Sequence, residues 1–164
     1  METTSIKRLN QLHPKVRQSA LDAYAEAVRA TPVGIHPLIT ETLRSFERST
    51  ALYNQPWDKK DNDGDGKIDE ADEKVSNAKA GQSLHNYGVA LDFVIMKDNK
   101  MNWSVDKDWM TVVNIFKKYG WSWGGDWKSF KDYPHLEKTN GYTWQKLLAL
   151  KNAGKVDKDG YVII

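Results

Sequence analysis

Two of the chain's four histidines stand where metal chemistry could be done. His85 lies in Ser83-Leu84-His85-Asn86-Tyr87-Gly88, seven residues ahead of Asp92, and His135 lies in Asp132-Tyr133-Pro134-His135-Leu136-Glu137. Two imidazoles and one carboxylate are the ligand set of a catalytic rather than a structural zinc. Three protein ligands leave a fourth position for water, whose pKa the metal lowers toward about 7. The His-x6-Asp spacing is a weak signal by itself and leaves ordinary structural side chains open as the alternative. Asp132 adds weight, because a carboxylate just ahead of His135 can reach such a water as general base without being a ligand. His13 and His36 each precede a proline with no carboxylate suggestively placed, so exposed or turn positions are expected for them.

A second constellation runs from Asp61 to Asp72. Asp61-Asn62-Asp63-Gly64-Asp65-Gly66-Lys67-Ile68-Asp69-Glu70-Ala71-Asp72 matches a calcium loop at positions 1, 3, 5, 6, 9 and 12. Asp61, Asp63, Asp65, Asp69 and Asp72 would converge on one ion, with Lys67 adding its backbone carbonyl and Gly66 the sharp turn. Position 12 is Asp rather than the usual Glu, a shorter arm that lowers the expected affinity. A solvated acidic loop is the bland alternative. A sensor EF-hand needs flanking helices and a partner hand, and a dockerin needs two repeats. Asp157-Lys158-Asp159-Gly160 is too short to be the second. A single structural or regulatory calcium loop is the reading that remains.

The elements that must position these residues are partly legible. Apolar residues at Val16, Ala20, Leu21, Tyr24, Ala27 and Val28 recur at helical spacing, giving a helix from Pro14 to about Ala30. Leu38 to Arg44 alternates as a strand does. Ser45 can cap a helix to about Asn54, stopped by Pro56, and residues 58–73 are loop. Val89 to Ile95 reads as a buried strand, with Ala90, Asp92 and Val94 on one face. Trp109, Val112, Val113 and Phe116 mark a further helix closed by Gly120. A short extended piece around His135–Lys138 follows, then a helix from Thr143 to Asn152 and a tail with an edge strand from Gly154. Helices and strands mix without regular alternation, which favours an α+β fold with a small antiparallel sheet flanked by helices, in one domain over 1–164.

Composition narrows the function classes. The chain has 164 residues, enough for one core, and a formal charge of +2, with no Lys/Arg cluster interleaved with aromatics that would suggest nucleic acid. No apolar run approaches the roughly 20 residues of a membrane helix. Cysteine is absent, which excludes disulfides, Cys-based zinc sites and a thiol nucleophile. The first residues, Met-Glu-Thr-Thr-Ser-Ile-Lys-Arg, do not read as a signal peptide. The expectation is a monomer that, if it acts outside the cytoplasm, depends on something other than this sequence for its release.

Ser83-x-His85-x-x-Gly88-x-Ala90-x-Asp92 followed by Asp132-x-x-His135 resembles the signature of the M15 metallopeptidases. That family includes DD-carboxypeptidases, DD-dipeptidases and the L-alanyl-D-glutamate endopeptidases of phage lysins. Ile6-Lys7-Arg8-Leu9, His13-Pro14, Thr42-Leu43-Arg44-Ser45-Phe46, Ala51-Leu52-Tyr53 and Trp123-Gly124-Gly125-Asp126-Trp127 extend the resemblance over roughly residues 5–145, closest to the endolysin branch. It implies the hedgehog/DD-peptidase-like fold and His85, Asp92 and His135 as zinc ligands. It makes Asp132 the base and Arg44 the cation on the substrate carbonyl. Read without it, Arg44 is more readily a surface salt-bridge partner. Ser83 would orient substrate or loop, and Glu137 and Asp126 are candidates to hold a histidine tautomer. Related endolysins usually carry Gln where this chain has Ser49, which touches a substrate subsite rather than the metal chemistry. The function implied is a zinc peptidase cleaving L-alanyl-D-glutamate in peptidoglycan stem peptides, activated by calcium. A D-alanyl-D-alanine carboxypeptidase is the runner-up, and a non-catalytic zinc- and calcium-binding module the reading from another class.

Overall fold

The computed structural model describes residues 2–69 and 71–164, without the side chain of Asp72. The long helix α2 (Pro14–Ala30) follows a short one, α1 (Thr3–Leu9). Strand β1 (Ile35–Glu41) leads into α3 (Phe46–Asn54), whose N-cap Ser45 accepts a hydrogen bond from the Arg48 N–H. Beyond the acidic loop come β2 (Ala90–Lys97), β3 (Lys100–Asn102), α4 (Lys107–Lys118), β4 (Ser122–Trp123), β5 (His135–Glu137) and α5 (Trp144–Asn152). The sheet is antiparallel in the order β1-β2-β5-β4, with β3 folded back on the far end of β2.

The main core lies between this sheet and α2 and α4. Val16, Ala20, Tyr24, Trp109, Val112 and Phe116 pack there on Leu91, Phe93, Ile95 and Leu136. Side chains alternate along a strand. Leu136 therefore enters the core while its neighbours His135 and Glu137 turn to the other face. A smaller cluster of Tyr87, Val89, Leu147 and Val162 seats α5 and the tail behind the His85 turn.

Three expectations are corrected. The strand read as Leu38–Arg44 begins and ends three residues earlier, at Ile35–Glu41, so Arg44 follows the strand instead of closing it. Pro37 is tolerated because β1 is the sheet edge. The tail adds no edge strand to the sheet: Val156 bridges Val162 as an isolated pair. His13 is buried rather than exposed, at 4%. It caps α2 by accepting the Lys15 N–H on Nδ1 (3.1 Å), and its Nε2–H donates to the Val162 carbonyl at 2.8 Å, tying the tail to the start of the fold.

Candidate metal centre

The sheet sets two of the three candidate ligands opposite each other, since Asp92 and His135 are register partners across β2 and β5. His85 comes from a 3₁₀ turn, Leu84–Tyr87, which Ser83 caps by accepting the His85 N–H at 3.3 Å. Gly88 ends that turn in the left-handed region at φ +68°, where the backbone of His13 leaves no room for a Cβ. Arg44 N–H donates to the His85 carbonyl (3.0 Å), and the Asn86 amide donates to the Arg44 carbonyl (2.9 Å) and to Ser49 Oγ (2.8 Å). Ser49 is buried and braces the turn.

The three ligand atoms form a nearly equilateral triangle. His85 Nε2, His135 Nδ1 and Asp92 Oδ1 are 3.3 Å from one another on every edge. A tetrahedron with arms of about 2.0–2.1 Å, the zinc–nitrogen and zinc–oxygen length, has edges of about 3.3–3.4 Å. The opposite ring nitrogens are already engaged. His85 Nδ1–H donates to the Thr42 carbonyl at 2.8 Å, and His135 Nε2–H donates to Glu137 Oε2 at 3.0 Å. With both rings neutral, three lone pairs point at one place, which is repulsive unless a cation sits there. The residues fit a zinc-sized ion, and such partners are what orient metal-binding histidines.

Electrostatics agree with that reading. Burial opposes ionisation of Asp92, yet the two imidazoles hold its carboxyl far below the usual carboxylate range. Burial alone would lower His135, but Asp92 and Glu137 outweigh it and lift the ring to about 9, so a proton can take the cation's place.

All of this lies at the base of a cleft of about 720 Å³. Asp132, Arg44 and Ser83 line it with the three candidate ligands, as do Trp127, Phe130 and Trp144. Asp132 keeps solvent contact, but the concave wall strips part of its hydration, and this with the Asp92 charge raises its pKa. The two histidines and Arg44 pull the other way and are thus within its electrostatic reach. Gly124 positions it, because a Cβ there would overlap the Asp132 carbonyl oxygen. Arg44 pairs with Glu41, and its buried Nε finds no hydrogen-bond partner among the described residues. Asp126 is away from the histidines, pairing with Lys117 at 2.6 Å. Glu41 and Thr42 are functional neighbours that sequence reasoning did not single out. Thr42 acts through its carbonyl, which leaves no trace in residue type.

Among the described carboxylates the acidic loop brings together three of its expected ligands. Carboxylate oxygens of Asp61, Asp63 and Asp65 lie within 4.8 Å of one another. Asp61 also accepts the Gly64 and Gly66 N–H groups at 2.6 and 2.9 Å. Asp69 instead accepts the Lys59 N–H (2.7 Å), Lys67 Nζ pairs with Asp65 (3.0 Å), and the Asp72 side chain lies outside the described residues. Glu73, buried, accepts the Asn62 N–H at 2.7 Å, and the next residues, 74–78, form a wall of the cleft.

Residues 76–138 match a family described as D-alanyl-D-alanine carboxypeptidase within the M15 peptidases. The chain is 43% identical over 137 residues to the peptidoglycan L-alanyl-D-glutamate endopeptidase CwlK of Bacillus subtilis, covering 78% of this chain and 74% of the relative. It is 32% identical over 133 residues to an L-alanyl-D-glutamate peptidase of Listeria phage A118, covering 77% of this chain and 40% of that protein. In fold it is similar to the Serratia marcescens L-Ala D-Glu endopeptidase ChiX, with TM-score 0.59 and 21% identity over 85% of this chain and 89% of that one. It also resembles the D,D-dipeptidase VanXYg, with TM-score 0.51 and 17% identity over 91% of this chain and 62% of that one. No helix among the described residues is long and apolar enough to cross a membrane. By this sequence identity, spanning most of both chains, the protein belongs to the M15 family of metallopeptidases.

Proposed function

We propose that the chain is a zinc-dependent endopeptidase that cuts the L-alanyl-D-glutamate bond of peptidoglycan stem peptides. The observation that carries the chemistry is the 3.3 Å triangle of His85, Asp92 and His135 with Asp132 in the same cleft. The choice of bond rests on the endopeptidase that shares 43% of aligned residues. His85, Asp92 and His135 would hold the ion, which when bound supplies Lewis-acid polarisation and an acidified water. Asp132 takes the attacking water's proton and delivers it to the leaving amine. Its raised pKa suits it to both halves of that transfer. Arg44, held by Glu41 at the cleft lining, would bring its fixed positive charge to the developing oxyanion. Ser83 holds the His85 turn and also lines the cleft, where it would help to orient the substrate.

D-alanyl-D-alanine carboxypeptidase activity is the second reading, because the matching family carries that description. Mass spectrometry of a digested muropeptide separates the two: the endopeptidase yields fragments ending at L-Ala, and loss of terminal D-Ala alone sinks the proposal. Asp132→Ala is expected to lower kcat by about 10²–10⁴-fold with the ion still bound.

Calcium at the acidic loop is part of the same proposal. The clustered Asp61, Asp63 and Asp65 carboxylates support it, as does the Glu73 contact that joins the loop to the cleft wall. The reading is completed by a monomer that does its work at the cell wall.

A further inference from the structure

The turn between Trp127 and Asp132 carries an apolar ring that neither core uses. Phe130 is 86% exposed, and its backbone sits in the left-handed region at φ +52°. A bulky residue adopts that conformation only when its surroundings impose it. Here they do. Ahead of it, Trp127 N–H donates to the Gly124 carbonyl (3.2 Å). After it, Lys131 Nζ donates to the Gly125 carbonyl (2.7 Å) and Asp132 N–H to the Gly124 carbonyl (3.2 Å). Trp123 Nε1–H then holds the Tyr133 carbonyl at 2.7 Å. The pinned turn presents Phe130 to the cleft that contains His85, Asp92 and His135.

Folding gains nothing from a phenyl ring left in water on a strained backbone, whereas a ligand with an apolar face would gain from it. Trp127, the neighbouring ring in the cleft, is already packed against His135, tilted at 52° with 5.3 Å between centroids. Stem-peptide chemistry says what such a ligand is. The L-alanine amino group is joined to the lactyl group of N-acetylmuramic acid, so a scissile Ala–Glu bond has a pyranose one residue away on its N-terminal side. The C–H face of a pyranose is the apolar surface an aromatic ring covers.

We propose that Phe130 is the sugar-recognising residue of the cleft, stacking on the N-acetylmuramyl ring that precedes the scissile bond. This rests on the endopeptidase reading. The test compares free stem pentapeptide with N-acetylmuramyl pentapeptide, using wild type, Phe130→Asn and Phe130→Trp. Asn tolerates the left-handed backbone, so this variant removes the ring without adding strain. Wild type should favour the muramyl substrate in kcat/KM. In Phe130→Asn that preference ratio should fall about 3- to 10-fold, mainly through KM, and Phe130→Trp should restore it. An equal loss on both substrates, or a wild type indifferent to the sugar, overturns the assignment. Release of D-alanine with the Ala–Glu bond intact overturns the endopeptidase reading and the sugar assignment with it.

Discussion

His135 donates through Nε2 to Glu137, which lies two residues on along the same strand face, so its free lone pair can only be the one aimed at Asp92 and His85. Glu137 also helps to raise the His135 pKa, the sign of a more basic ligand nitrogen. Glu137→Gln keeps an acceptor of the same reach and removes the charge. The expected outcome is metal affinity weaker by about 10- to 100-fold, measured by competition with a chromogenic chelator, with the fold unchanged by circular dichroism. An unaltered affinity would show that the hydrogen bond orients the ring without tuning it. Ser49 argues the same way from the other histidine. It accepts from Asn86 in the floor of the His85 turn, so its departure from the usual family residue is absorbed by the support of the site.

At the scale of elements, legibility in the sequence followed length and capping. The helices α2, α3 and α5 announce themselves through Pro14, Ser45 and Thr143 and through apolar spacing, and they lie where expected. The seven-residue α1 has mostly polar residues and an unusual Glu2 cap, and β3 and β4 are too short for any period to show. The strand β1 ends before the sequence suggests because alternation continues through Thr42, while the irregular register between Ile39 and Glu41 stops pairing earlier. His13 looked exposed because its partner, the Val162 carbonyl, is far away in sequence. The spacing of His85, Asp92 and His135 is a weak signal that the family resemblance joins to Asp132, and the fold brings the three side chains together, whereas the Thr42 and Glu137 contacts that fix the tautomers are visible only in the fold. The acidic loop is an element whose consequence is testable at this scale. Its exit through Glu73 leads directly into the cleft wall, so an ion that orders the loop should order the wall. Calcium titrated into chelator-treated, zinc-loaded protein should raise wall lysis saturably. Half-saturation is expected at about 10⁻⁴ M or weaker, because position 12 carries the shorter Asp. A flat response removes calcium from the account.

Across the whole molecule the candidate metal centre joins three pieces of chain that the cores hold only from behind: the His85 turn on the smaller cluster, and β2 and β5 on the larger one. Without a cation, a proton on His135 relieves the crowding of lone pairs. Its folded pKa of about 9 stands above the unfolded value of 6.5. A raised basic pKa means the folded state binds the proton more tightly, so this contribution is complete below 6.5 and is lost as pH rises through about 9. Metal and proton compete for one place, which makes the two dependences a single linkage. Chelator-treated protein should therefore melt highest near or below pH 6.5 and progressively lower up to and beyond pH 9. Zinc added at the alkaline end should abolish the decline, and metal uptake at neutral pH should release a proton, detectable as a binding enthalpy that changes with the ionisation enthalpy of the buffer. A melting temperature of the chelated protein that stays level across this range would show that His135 does not carry the proton, and that the triangle is held together by the sheet and the 3₁₀ turn alone.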